Sequence, residues 1–286
     1  MSLRIAIIEK IMKTTEFSTI DSESLKRYLD AHHENDYILV DVRQPAEYET
    51  HHIPGSFLKP LNQLMQSFEG LPEDKDIIFY CHVGARSRVA AMTAAEEAVF
   101  DGKLYTLDGG IQAWNGKTLA PVPRIGVFNR SQTLTGFLET AMNMEKGAER
   151  FYRTAYEKFA GRGFASLFDQ LAGVETAHAK LLYTIYLKNA SSDTPPFDVF
   201  YGHLTGDIIE GGESLDRCVE QLAKLDENAC RSLMEFALNI ELAAYDLYRT
   251  MANRNSEDPE MSAAFLSIAQ AEKSHMRAIS AAFETC

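Results

Sequence analysis

Apolar residues in the N-terminal part of the chain fall into short, nearly continuous runs. Tyr37–Asp41 (YILVD), Asp76–Tyr80 (DIIFY) and Lys103–Leu107 (KLYTL) have strand length and are rich in β-branched and aromatic side chains, which predicts strands buried on both faces. Ser22–Asp30 and Ser87–Phe100 carry helical patterning around these runs. Strands alternating with helices predict a parallel sheet covered on both sides. The pattern changes at Pro121-Val122-Pro123, where two prolines and the following Gly126 mark a linker. Beyond it the apolar periodicity predicts four long helices, over residues 131–160, 164–188, 228–253 and 258–284. The stretch 189–227 holds Pro195, Pro196, Gly202, Gly206, Gly211 and Gly212, with one helical piece at Leu215–Leu225. A four-helix bundle with one crossover needs such a long connection between its second and third helices. The expected division is therefore 1–124 for an α/β domain and 125–286 for an all-α bundle.

The bundle half repeats itself. Glu145–Thr154 matches Glu241–Thr250, with Tyr152 opposite Tyr248, and Glu175–Lys180 matches Glu272–Arg277, with His178 opposite His275. The four long helices thus read as two copies of one helix pair.

The length, 286 residues, gives each half enough chain to bury its own core. A formal net charge of −13 makes nucleic acid and anionic membrane poor partners. The early apolar run Ile5–Ile8 is too short for a secretory signal and is followed by Glu9 and Lys10. Nothing approaches the ~20 apolar residues of a membrane span. Cys81, Cys218, Cys230 and Cys286 are scattered and form no CxxC pair. That spacing argues against a disulfide framework and against a thiolate metal site, and a reducing cytoplasm is the expected compartment.

Cys81-His82-Val83-Gly84-Ala85-Arg86-Ser87 follows a predicted strand and opens a predicted helix. A cysteine there lies near the positive end of the helix dipole, and loop amides can cradle an anion. Both effects favour the thiolate, the nucleophilic form. Gly84 permits a tight loop and Arg86 adds fixed positive charge. An ordinary buried cysteine in a βα turn is the bland alternative. Around this loop the chain resembles the rhodanese family over residues 18–122. The resemblance rests on Asp41-Val42-Arg43-Gln44-Pro45-Ala46-Glu47-Tyr48, His52-Ile53-Pro54-Gly55-Ser56, the CxxGxRS loop, and Leu107-Asp108-Gly109-Gly110-Ile111-Gln112-Ala113-Trp114. His51 departs from it, because the family usually has Gly before the HIPG run. The resemblance implies a persulfide mechanism: Cys81 takes sulfane sulfur from thiosulfate or a persulfide and passes it to a thiol or cyanide-like acceptor. The amides from His82 to Ser87 would stabilise the thiolate and persulfide. Arg86 would bind the anionic donor or hold the loop through a carboxylate, and Asp41 would serve the fold. Phosphatases of this fold use C-x5-R, whereas Cys81 to Arg86 is C-x4-R, a shorter loop that suits sulfur better than phosphate.

In the bundle half, Glu175/His178 and Glu272/His275 are ExxH pairs, and Glu145 and Glu241 stand one per helix. Residues i and i+3 share a helix face, so each ExxH pair presents an oxygen and a nitrogen together. One Glu from each of two helices plus ExxH from each of the other two is a di-iron carboxylate arrangement. Exposed charges are the bland reading, and Glu149 is expected at the surface. The repeat predicts a pseudo-two-fold axis, with Glu175 and Glu272 bridging two ions about 3.5–4 Å apart. Glu145 with His178 would cap one ion, and Glu241 with His275 the other. Residues 130–286 resemble the rubrerythrin branch of the ferritin-like superfamily, which implies two iron ions and peroxide reduction. Manganese and zinc suit the same donors. Two departures stand out. Ala244 and Tyr245 occupy the positions where a further helix-three carboxylate is common, and no CxxC-paired rubredoxin domain is present, so turnover would need an external electron donor.

The expectation is a cytoplasmic sulfurtransferase joined to a di-iron, peroxidase-like bundle, assembled as a homodimer. The alternative is a persulfide- or sulfide-sensing module on a non-catalytic metal-binding bundle.

Overall fold

The computed structural model describes residues 16–97, 99–120, 122–128, 133–191, 193–226, 228–283 and 286. Pro121 of the expected linker and the Ile5–Ile8 run lie outside them. The chain divides between Val122 and Pro123 into two compact units.

The first unit is an α/β layer structure. Strands β1 (Ser18–Ile20), β2 (Tyr37–Asp41), β3 (Phe57–Leu58), β4 (Asp76–Tyr80) and β5 (Leu104–Leu107) form one sheet in the order β1-β5-β4-β2-β3. Every pairing is parallel, and Asp41 lies opposite Tyr80 in the central β2–β4 register. Helices α1 (Ser22–Ala31), α2 (Pro45–Thr50), α3 (Leu61–Leu64), α4 (Ala85–Glu97) and α5 (Gly110–Ala113) connect them. All five residues of β2 are buried, as continuous apolar runs require in a sheet covered on both faces. Ile38, Val40, Ile77 and Phe79 point into one core, and Tyr37, Leu39, Ile78 and Tyr80 into the other. Ala90, Ala91, Ala94 and Ala95 give α4 a small-residue face for its seat on the first core. β1 and β3 escape the sequence reading because three and two residues are too few to show a period.

The second unit is a four-helix bundle. Its long helices are α6 (Leu134–Lys158), α7 (Ala165–Asn189), α10 (Cys230–Arg254) and α11 (Pro259–Ala282). Helix α6 pairs with α7 and α10 with α11, the two copies expected from the repeat. Thr133 caps α6 and Asp258 caps α11 through their side chains, with Pro259 at the first helical position of α11. The crossover holds α8 (Phe197–His203), a 3₁₀ turn at Glu210–Gly212 and α9 (Leu215–Ala223). Among the described residues, no helix is long and apolar enough to cross a membrane.

One expectation is overturned here. Cys230 and Cys286 form a disulfide, although 56 positions separate them in sequence. The antiparallel α10–α11 hairpin returns the chain end to the start of α10, a proximity that cysteine spacing does not reveal. Cys81 and Cys218 are free and buried.

Candidate functional site

Among the described residues, each unit gathers a cluster of chemistry-bearing side chains. The first gathers at the carboxyl ends of β2 and β4, where loops of a parallel sheet converge. Cys81 follows β4 directly, is buried, and its Sγ accepts the Gly84 amide at 3.1 Å. Burial pushes the Cys81 thiol up. Hydrogen bonds from the Ser87 amide and hydroxyl and from the Gly84 and Val83 amides outweigh it and hold the thiol below its ordinary value. The Ser87 hydroxyl itself accepts from Thr106 Oγ1 on β5 at 2.9 Å, inside the core. His82, Val83 and Ala85 are exposed on the rim of the loop.

The backs of two loops lock together. Ile111 donates to the Cys81 carbonyl at 2.8 Å and Gln112 to that of His82 at 3.0 Å. A Cβ at Gly110 would lie 2.4 Å from the Cys81 carbonyl oxygen, so only glycine permits this approach. Arg86 spends its guanidinium on Glu47, with Nη1 to Oε2 and Nη2 to Oε1 both at 2.7 Å. Arg86 beside it holds the Glu47 carboxyl down at about 2. Arg43 is buried against Asp41 (Nη2 to Oδ2 2.7 Å) and donates to the His51 carbonyl at 2.7 Å, a framework that fixes the α2 loop. His51 itself has φ −170°, extended backbone open to any residue, so replacing glycine there carries no strain. A cavity of about 240 Å³ borders the loop, lined by Val83, Gly84, Ala85, Arg88 and Asp108 among others; Cys81 is not part of its lining.

The second cluster lies inside the bundle. Glu145 (α6), Glu175 (α7), Glu241 (α10) and Glu272 (α11) are fully buried, and His275 nearly so. His178 Nδ1 is 3.3 Å from Glu175 Oε2 and 3.5 Å from Glu145 Oε2. His275 Nδ1 is 3.0 Å from Glu241 Oε2, 3.2 Å from Glu272 Oε2 and 3.3 Å from Glu175 Oε1. The two imidazoles stack with centroids 4.8 Å apart. All six sequence-predicted donors therefore converge. They meet a seventh residue that sequence reasoning passed over: Glu210, on the 3₁₀ turn of the crossover, is buried and places a carboxylate oxygen within 4.8 Å of donor atoms of Glu145 and Glu175. Glu210 lies outside the repeat and outside any helical period, so no pattern marks it.

Burial, and then the neighbouring carboxylates, pushes Glu175, Glu210 and Glu272 well above the ordinary carboxylate range. Burial draws His275 down, but the Glu175 and Glu241 carboxylates win and lift it to about 10. One oxygen of Glu145, both of Glu175, Glu210 and Glu272, His178 Nδ1 and His275 Nε2 are buried without a hydrogen-bond partner. Buried polar atoms left unpaired are costly, and five carboxylates in one volume repel. Oxygen and imidazole donors facing one another in this number fit two divalent cations of the iron, manganese or zinc kind. Glu149, expected at the surface, is instead half-buried and accepts the Tyr201 hydroxyl at 3.0 Å.

Two family models match the chain. Residues 24–117 match the rhodanese-like domain and residues 136–197 match rubrerythrin. The chain is 38% identical over 96 residues to a sulfurtransferase of Allochromatium vinosum, covering 33% of this chain and 85% of that protein. The chain belongs to the rhodanese-like family, fused to a rubrerythrin domain. A thiosulfate sulfurtransferase of Pseudoalteromonas translucida is 30% identical over 101 residues, 35% of this chain and 94% of its own length. A rhodanese-related protein of Thermoplasma volcanium superposes with a TM-score of 0.32 at 24% identity, over 36% of this chain and 98% of that one.

Within the rhodanese domain, Glu47 is the residue that motif reading left without a role; its signal was a carboxylate in the α2 segment of the same motif as Asp41. Within the rubrerythrin domain, Tyr152 and Tyr248, which the repeat sets opposite each other, donate their hydroxyls to Glu241 and Glu145.

Proposed function

We propose that the rhodanese domain transfers sulfane sulfur through Cys81 and that the rubrerythrin domain uses a two-iron centre to reduce peroxide. The observation carrying the first part is the Cys81 sulfur, held by amides at the start of α4 with its thiol drawn below the ordinary value. The thiolate attacks the outer sulfur of thiosulfate, or the terminal sulfur of a persulfide. The donor's S–S bond breaks, sulfite or a thiolate leaves with the electron pair, and Cys81 becomes a persulfide. A thiol or cyanide-like nucleophile then takes the terminal sulfur and regenerates the thiolate. The Gly84, Val83 and Ser87 amides meet the negative charge at each stage. Arg86 acts by holding the loop through Glu47.

In the second domain Glu145, Glu175, Glu241, Glu272, His178 and His275 would hold the ions. When bound, two iron ions supply the electrons for peroxide reduction, and an external donor restores them. Tyr152 and Tyr248 orient Glu241 and Glu145, and the surrounding apolar residues, Phe151, Phe168 and Phe265 among them, exclude water.

Residues 1–124 and 125–286 serve as the domain limits for testing. Residues 1–124 alone should be soluble and transfer sulfur from thiosulfate, and Cys81→Ser should abolish that transfer; more than a tenth of wild-type activity remaining would refute the assignment. The full chain loaded with ferrous iron should be oxidised rapidly by peroxide. Stable, inert iron would favour a metal-binding or sensing role instead.

A further inference from the structure

We propose that Glu210 is a fifth metal-binding carboxylate which makes the two metal positions of the bundle inequivalent. The proposal rests on the two-metal reading above and deepens it.

Three observations carry it. Glu210 is 1% exposed, and neither of its carboxylate oxygens has a hydrogen-bond partner. A glutamate with no metal role would be expected to find a donor, because a buried unpaired carboxylate is among the costliest groups in a protein. One of its oxygens lies with donor atoms of Glu145 and Glu175, all within 4.8 Å of one another.

The loop that carries it is built to hold that position. Ile209 donates to the Glu213 carbonyl at 2.8 Å, Gly212 to that of Ile209 at 3.0 Å, and Leu215 to that of Asp207 at 2.9 Å. Gly211 has φ 76°, and a Cβ there would lie 2.6 Å from Ala243 Cβ on α10. On the other side, a Cβ at Gly147 of α6 would lie 1.9 Å from the Ile208 carbonyl oxygen. Larger residues at either contact would lift the turn and withdraw Glu210. Upstream, Asn143 accepts the Gly206 amide at 2.8 Å and donates to Asp207 at 3.0 Å, tying the same segment to α6.

The asymmetry follows from where Glu210 sits in the chain. The six other donors come in pairs related by the internal repeat, so by themselves they would give two equivalent positions. The crossover has no second copy. Its carboxylate approaches the Glu145–Glu175 side, while the Glu241–His275 side receives no counterpart among the described residues. Charge points the same way. Four carboxylates balance two divalent ions, and a fifth adds one negative charge that favours tighter holding of the cation nearest to it.

The test is anaerobic loading of the full chain with ferrous iron, followed by chelator competition and Mössbauer spectroscopy. Wild type should bind two ions in two affinity classes, with two distinguishable iron environments. Glu210→Gln, which keeps the shape and removes the charge, should weaken the tighter class by at least roughly tenfold. It should leave the other class within about twofold, and circular dichroism unchanged. Glu210→Asp should fall between the two. A Glu210→Gln protein that keeps both classes overturns the proposal. So does a wild-type protein with two ions in a single class, which decides the matter even if the variant fails to fold. A wild-type protein that binds no stoichiometric iron, manganese or zinc would instead overturn the two-metal reading itself.

Discussion

The Tyr152 hydroxyl donates a hydrogen bond to Glu241 Oε1 on the opposite repeat, and Tyr248 answers with one to Glu145 Oε1 at 3.2 Å. Each tyrosine therefore serves the other repeat's glutamate, although in sequence it lies seven positions after its own. The exchange fixes both carboxylate rotamers and leaves their second oxygens facing the histidines. Tyr152→Phe should strand a buried carboxylate oxygen, at a cost of about 1–3 kcal/mol. It should lower metal affinity roughly 10–100-fold. Tyr248→Phe should act in the same direction. Chelator competition checks this, and unchanged affinity in both variants would count against the tyrosines as positioning residues.

Glu47→Gln should damage sulfur transfer although Glu47 does not touch Cys81. The amide keeps one acceptor for Arg86 and loses the paired, charge-assisted contact, so the loop is held less firmly. A loss of roughly tenfold or more in kcat/KM with thiosulfate is expected. The Glu47 carboxyl sits at about 2 in the folded protein, below its unfolded value. Its contribution is therefore complete above the ordinary ~4.3 and fades only as pH falls toward 2. The penalty of the substitution should accordingly be constant from about pH 8 to 5; a penalty that vanishes across that window would contradict the ion pair.

Alkylation of Cys81 by iodoacetamide should follow a titration with its midpoint below the ordinary thiol value of ~8.5. Reactivity rises as pH passes through the folded-state pKa, because the thiolate is the reactive form. Ser87→Ala removes one hydrogen-bond donor to the sulfur and should move the midpoint upward. An unmoved midpoint would remove the Ser87 hydroxyl from the account of the thiolate.

The Cys230–Cys286 disulfide closes a loop spanning 56 positions, for which chain entropy gives up to about 4 kcal/mol of stabilisation. Denatured, unreduced protein should titrate as two thiols, those of Cys81 and Cys218. Reductant should lower the Tm of the metal-loaded chain. Four thiols in the denatured, unreduced sample would refute the bridge.

The sequence by itself determined the elements whose physics is local or periodic. The buried strands at 37–41 and 76–80 show as short continuous apolar runs and the four bundle helices by their period, and the CxxGxRS loop and the two ExxH pairs announce their chemistry by spacing. The repeat even indicated which donors belong together. Tertiary structure decided what depends on contact between segments far apart in the chain. Glu47 meets Arg86 because α2 and the Cys81 loop share the carboxyl edge of a parallel sheet. Cys230 meets Cys286 because two antiparallel helices return the chain to its starting level. Glu210 joins the carboxylate cluster because glycines at 147 and 211 let the crossover lie against both α6 and α10. None of these contacts repeats along the chain, so no period could record them. Each exists only once the backbone has brought its partners within reach.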